Sequence, residues 1–266
     1  MRRRMFAIAT IAAACLMPVE VEVEAAGPAR PVKLLIITGD THPAHDWKAT
    51  TPAIRDVLAA QGRVDVHVTT APASDLTDAN LAGYDVLLLN YKKPSESPET
   101  TWTDANKAAF LKAIRDDGKG LVVLHHASGS FAKPNWAEFE QAIAGGWRTQ
   151  GHHGPPHPFT VKKAAGDHPV ADGAPAEFAH VTDELYQNSL LTPGSVVLAT
   201  AYSDPSKKGG TGKDEAVIWA NTFGKGRVFE TVLGHDVAAI TDPGAATWLR
   251  RGTLWAATGQ VAPDVK

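Results

Sequence analysis

Residues 32–47, VKLLIITGDTHPAHDW, join an uninterrupted apolar run to a polar loop that carries His42 and His45. The run at 32–38 has no polar residue at alternate positions beyond Lys33. That pattern suits a strand covered on both faces, as in a parallel sheet. Working outward, residues 64–70 alternate apolar and polar, while 86–90 (VLLLN) and 120–124 (GLVVL) repeat the buried pattern. Helical stretches lie between them. Thr51-Pro52 opens one that runs to residue 60, with Pro52 near its first position and Gly62 ending it. Thr103 caps a second, which continues through 107–115 to Gly118. Asn135 caps a third, to residue 144. The order β-α-β-β-α-β-α predicts a doubly wound, mostly parallel α/β sheet with helices on both faces and right-handed crossovers. The second half predicts strands at 159–163, 195–201, 216–221 and 227–233 and a closing helix at 245–258.

The 266 residues are 44% hydrophobic and 21% charged with a net charge of −3. This excludes a basic nucleic-acid-binding chain and allows a well-buried core. Arg2, Arg3 and Arg4 precede a short apolar run, and residues 23–25 (VEA) offer a small-residue cleavage site. Residues 1–25 are therefore expected to be a signal peptide, 26–31 a linker, 32–260 one α/β domain and 261–266 a tail. Simple secretion, twin-arginine export and a lipid anchor on Cys15 are all compatible with this leader. The protein is expected to be periplasmic or secreted, with no integral membrane segment. Cys15 is the only cysteine, so the mature part has no disulfide and no thiolate nucleophile or ligand.

Open parallel sheets bind ligands beyond the carboxyl ends of their strands. Following each strand out at that end reaches Gly39–Trp47, then Asn90-Tyr91-Lys92-Lys93, then His125-His126-Ala127-Ser128-Gly129, then Gly234-His235-Asp236. Of 11 histidines, His42, His45, His125, His126 and His235 fall there. His152, His153 and His157 sit in a long loop able to fold over the same edge. This loop, residues 151–158, reads as too polar and too rich in Gly and Pro for a helix or central strand, and is expected to wall a pocket. Imidazole with carboxylate suits Zn²⁺, Mn²⁺, Fe²⁺ or Ni²⁺. His45, His125, His153, His235 and Asp236, with Asp46 as an alternative oxygen donor, are the expected metal set. His125, His153, Asp183 and Glu184 are the candidate acid-base groups. Asp40, Trp47, Tyr91, Lys92, Ser128, Trp147 and Tyr186 are the expected substrate contacts, the two Trp rings suiting the C–H face of a sugar. His126, next to His125, should turn to the opposite side if strand alternation persists. There is no His-Glu-x-x-His, no Gly-x-Ser-x-Gly and no nicotinamide fingerprint, and residues 209–213 (GGTGK) are not a Walker A loop.

At these residues the chain resembles the ThuA-like (trehalose-utilisation) family over nearly all of its mature length. The resemblance rests on an ordered series: Gly39–Trp47, the HHASG turn at 125–129, WAEFE at 136–140 with Gly145-Gly146, and PFTV at 158–161 with Asp167-His168-Pro169. DELY at 183–186, GTG at 210–212, GKGRVFE at 224–230, TVLGHD at 231–236 and RGTLWA at 251–256 complete it. It implies a flavodoxin-like fold related to class I glutamine amidotransferases. Those relatives keep a nucleophilic cysteine at a strand-to-helix elbow, where this chain has His125 and no cysteine, so glutaminase chemistry is not implied. The resemblance links the chain to sugar catabolism, particularly of disaccharides oxidised to 3-keto derivatives.

The expected function is an exported enzyme that cleaves or isomerises a keto-glycoside or disaccharide by His/carboxylate chemistry, with a divalent metal and without a nicotinamide cofactor. A metal-assisted hydrolase of unoxidised substrate and a non-catalytic sugar-binding module are the alternatives. The expected partner is a small carbohydrate; a homo-oligomer is compatible with the sequence. Because the lone cysteine lies in the leader, a thiol-alkylating reagent should leave the activity of the processed protein intact. Abolition of that activity would refute the thiol-free reading.

Overall fold

Apolar runs without polar interruption take the middle of the sheet, because both of their faces need cover. The computed structural model describes residues 30–40, 42–92, 101–132, 136–164 and 166–265. The expected signal peptide, most of the linker, Cys15 and the Asn135 cap lie outside the described residues. In chain order the elements are β1 (Val32–Ile37), α1 (Trp47–Ala59), β2 (Val64–Thr69), α2 (Pro72–Asp75), α3 (Asp78–Leu81), β3 (Val86–Leu89) and α4 (Asp104–Arg115). Then come β4 (Gly120–Leu124), a 3-10 turn (His125–Gly129), α5 (Ala137–Ala142), β5 (Gly145–Gly146), β6 (His152–His153), β7 (His157–Lys163) and β8 (Glu177–Asp183). The chain closes with β9 (Tyr186–Gln187), β10 (Leu190–Leu191), β11 (Val196–Tyr202), β12 (Asp214–Phe223), β13 (Gly226–Thr231), α6 (Val237–Thr241) and α7 (Pro243–Thr258).

Nine strands form one sheet in the order β2-β1-β3-β4-β13-β12-β11-β7-β8. The first five run parallel. The last four extend it antiparallel. The start of this order, 2-1-3-4, is the flavodoxin-like winding. Helices α1, α6 and α7 pack together on one face and α3, α4 and α5 on the other. All residues of β3 and β4 are buried, and each such Leu or Val contributes about 1.5–3 kcal/mol by leaving water. The small pairs β5–β10 and β6–β9 sit outside this sheet. No helix among the described residues is long and apolar enough to cross a membrane.

Several boundaries differ from the sequence expectation for local reasons. α1 begins at Trp47, one turn before Thr51-Pro52, because the Asp46 side chain accepts from the amides of Lys48 and Ala49. Pro52 then lies inside the helix, where its missing N–H costs one bond. Thr103 and Asn106 form a reciprocal capping box on α4, as its sequence suggests. Strand β8 was not expected: it is the sheet edge, so its burial lacks a buried run. The segment expected to be a tail is pinned, since Val265 is buried and its carbonyl accepts from Arg251 at 2.9 Å. The fully buried Arg251 guanidinium also donates to the carbonyls of Pro169, Val170 and Asp172.

Two glycines let α7 lie directly on the sheet. A Cβ on Gly120 would stand 2.5 Å from the backbone of Ala256, and one on Gly252 2.3 Å from the Phe229 ring. Gly252→Ala should therefore cost about 1–3 kcal/mol through overpacking. Urea denaturation checks this, and an unchanged midpoint would mean that the contact is looser than it stands.

Candidate active site

The ends of the parallel strands bring three imidazoles together. His45 closes the loop after β1, His125 follows β4 directly, and His235 follows β13. One donor atom from each, with one from the Glu184 carboxylate after β8, lies within 4.8 Å of all the others. Glu184 is the hub. Its Oε2 stands 3.3 Å from His125 Nε2, and its Oε1 stands 3.4 Å from His235 Nδ1 and 3.5 Å from His153 Nε2. For donors about 2.0–2.1 Å from a tetrahedral ion, spacings of about 3.3 Å are needed. The chemistry of the set also fits a divalent cation, since His45 Nδ1 and His235 Nδ1 have no hydrogen-bond partner among the described residues.

The backbone presents His125 under strain. Its φ is +47°, a left-handed conformation that costs a non-glycine residue about 1–3 kcal/mol. The ring is held there by Nδ1, which donates to the Val232 carbonyl at 2.6 Å. That bond fixes the proton on Nδ1 and turns Nε2 toward Glu184, as in many metal-ligating histidines. The Tyr186 hydroxyl lies 3.3 Å from the same Nε2. Burial and the nearby Glu184 and Asp183 carboxylates push the Tyr186 phenol up, so it stays a donor.

Charges in the cluster are set by burial and by one another. Burial, then the neighbouring His125, pushes His45 down to about 2, so its imidazole is neutral at physiological pH and available as a ligand. Burial alone would raise the Glu184 carboxyl, but its hydrogen bond and charge interaction with His125 outweigh that and hold it down to about 2. The half-buried Lys92 is lowered by desolvation, opposed by the Glu184 charge, and its ammonium stands 6.0 Å from the Trp147 ring centre.

His126 does not turn away from His125. Strand alternation stops at Leu124, and in the 3-10 turn both rings reach His45. The His126 ring stacks on it at 4.2 Å with an interplanar angle of 9°, and His125 meets it edge-on at 5.1 Å. Desolvation pushes His126 well below its ordinary range, so it packs as a neutral ring.

Other expected site residues fall in different places. His153, with its side chain 32% exposed, touches Glu184 but stands outside the four-residue cluster. Asp46 and Asp236 stand outside the four-residue cluster, and Oδ1 of each caps a helix, Asp236 accepting from Ala239 N at 2.9 Å. Asp183 is fully engaged within the protein and cannot serve as a second acid. It is buried and accepts from the amides of Glu184, Gly234 and His235. Asp183 and Glu184, though adjacent, therefore do not form the pair of free carboxylates that ordinary glycoside hydrolysis uses. Tyr91 is corrected as a sugar contact, because it is buried against Trp102 and Phe131. Ser128 is likewise buried, donating to the His125 carbonyl. Asp40 is buried too, near enough for its charge to act on His42 and Tyr91. Trp47 is half-buried beside Lys48, and no ring contact joins it to the histidines among the described residues. Trp147 and Tyr186 do border the cluster, their rings 4.7 Å apart and Trp147 5.5 Å from His153.

The 151–158 loop is partly a strand. β6 pairs antiparallel with β9, which places His153 opposite Tyr186, and His152 reaches the Gly209 carbonyl at 3.1 Å. A two-residue strand has no periodicity to read. A cleft of about 330 Å³, lined by Ala44, Thr50, His235 and Val237 among others, reaches the cluster from the α1–α6 side.

The comparisons with known proteins agree with this fold. The trehalose utilisation (ThuA) family model matches residues 33–256. A putative ThuA-like protein from Parabacteroides merdae is 29% identical, with a TM-score of 0.76 over 87% of this chain and 92% of its own. A second, from Bacteroides uniformis, is 22% identical with a TM-score of 0.68 over 91% and 100%. A cytoplasmic protein from Salmonella typhimurium shares the fold at 11% identity, with a TM-score of 0.62 over 85% and 99%. No curated protein matches the chain.

His126→Ala should destabilise the fold by about 2–5 kcal/mol, as for other large buried truncations, while His125 and Glu184 keep their places. Chemical denaturation measures the first effect. A stability loss close to zero would show that the His45 stack contributes little.

Proposed function

The chain belongs to the ThuA, trehalose utilisation, family, and on that footing we propose that it is an exported carbohydrate-processing enzyme acting on a keto-glycoside or keto-disaccharide. The observation that carries this reading is the meeting of His45, His125, Glu184 and His235 at the carboxyl edge of the parallel sheet. The leader-like residues 1–25 support placing the activity in the periplasm or outside the cell.

A carbonyl at C3 of a sugar acidifies the C2 proton. Its removal gives an enediolate, from which the C1 substituent can leave once protonated. This needs a base, an acid for the leaving group and an electrophile for the oxygen that gains charge. His45, His125, Glu184 and His235 would hold a divalent ion, Zn, Mn, Fe or Ni, which when bound polarises a carbonyl oxygen. His153 is the exposed imidazole of the group and moves the proton. Tyr186 presents its hydroxyl beside the His125 ring, Trp147 offers its ring to the sugar, and Lys92 holds a polar substituent beside it.

Metal content by mass spectrometry and product analysis on native against 3-keto disaccharides test this. Turnover of the keto sugar alone, with about one divalent ion per chain, is expected. Turnover of the native disaccharide would favour a hydrolase, and sugar binding without turnover a binding module. In folded His125→Ala protein, which loses one of the residues that would hold the ion, kcat should fall by at least about 10²-fold, no less than the loss of an acid–base group costs. Near-normal turnover would overturn the assignment of His125.

A further inference from the structure

Behind the cluster runs a buried chain of carboxylate, imidazole and carboxylate that the proposed chemistry does not use. His180, on β8, is buried with its ring between Phe159 and Phe178 at 5.3 and 5.9 Å. Its Nε2 lies 2.9 Å from Asp183 Oδ2, and its Nδ1 lies 3.6 Å from Asp242 Oδ1. Each carboxylate also grips backbone. Asp242 caps α7, accepting from Gly244 N at 2.9 Å and Ala245 N at 3.1 Å. Asp183 accepts from Glu184 N at 2.7 Å, Gly234 N at 2.8 Å and His235 N at 3.2 Å.

The last three bonds matter most. Glu184 and His235 come from distant parts of the chain, yet one carboxylate fixes the backbone of both. Asp183 can do so only if its own position is fixed, and His180 is its side-chain partner. His180 in turn faces the capped start of α7, which lies against the sheet through Gly120 and Gly252. A buried ionic chain adds little net stability over apolar side chains of like volume. What this one contributes is position.

We infer that His180 is a positioning residue, which holds Asp183 so that Glu184 and His235 stand at the spacing a divalent ion requires. The inference rests on the metal reading above. His180 touches neither substrate nor ion in this role, and no proton or bond changes place. Groups that orient metal ligands in this way usually alter affinity by about 10–100-fold when removed.

The test is zinc affinity of the purified full chain, measured by competition with a fluorescent chelator, beside thermal melts of the metal-free proteins. If the unaltered protein binds no zinc, the metal reading fails and takes this inference with it. If it binds, His180→Leu and Asp183→Asn should each bind about 10–100-fold more weakly. His180→Gln, which keeps a donor toward Asp183, should recover most of that loss. Phe159→Leu, a packing change beside the same ring, should lower the melting temperature but leave affinity within about 3-fold, well inside the range for removed ligand-orienting groups. Unchanged zinc affinity in His180→Leu overturns the inference while leaving the metal reading in place. So does an equal loss in Phe159→Leu. Should His180→Leu fail to fold, unchanged affinity in Asp183→Asn overturns it alone.

Discussion

The hydrogen bond from His125 Nδ1 to the Val232 carbonyl, 2.6 Å long, is the constraint on which the site depends. It joins the ends of β4 and β13, the adjacent parallel strands at the middle of the sheet. It offsets the left-handed backbone of His125, which would otherwise relax and swing the ring away. It also chooses the tautomer. With Nδ1 committed to a carbonyl, Nε2 is the atom left facing Glu184 and Tyr186. Other features of the edge are arranged around that direction: His45 meets the ring edge-on, and His126 stacks on the face of His45.

Glu184 reaches the cluster from the antiparallel half of the sheet, whereas the three histidines come from the parallel half. A carboxylate so buried is costly unless it is paired. Here it faces several imidazoles, and its ionised form is favoured despite the desolvation. His45 is kept neutral chiefly by its burial, to which the neighbouring His125 adds. Donor atoms with lone pairs and one negative charge are thereby collected at a single point.

The parallel half was legible because β1, β3 and β4 are buried on both faces, and burial on both faces erases alternation from the sequence. β8 was illegible for the converse reason: as an edge strand it carries exposed Ala179, Val181 and Thr182 among its buried positions. The pairs β5–β10 and β6–β9 are two residues long and leave no period at all. In the site, His45, His125 and His235 were findable because they follow apolar runs. Asp183 and Glu184 were found together but could not be told apart, since adjacent acids look equivalent on paper. What separates them is long-range: the amides of Gly234 and His235 claim Asp183 and leave Glu184 free to face the rings. Tyr91 and Ser128 misled because a position at a strand end does not say which way the side chain turns. That Glu184 joins the three histidines, and that His180 stands behind Asp183, had no local signal.

The four clustered residues are spread along the chain from position 45 to position 235. Bringing such distant segments together carries a loop-closure penalty that no single helix or hairpin can offset. The cluster therefore cannot assemble on any local fragment; it exists only when the first strand, the middle of the sheet and the last parallel strand have all docked. Its formation coincides with completion of the fold, so a truncated or half-folded chain would offer scattered imidazoles in place of a site.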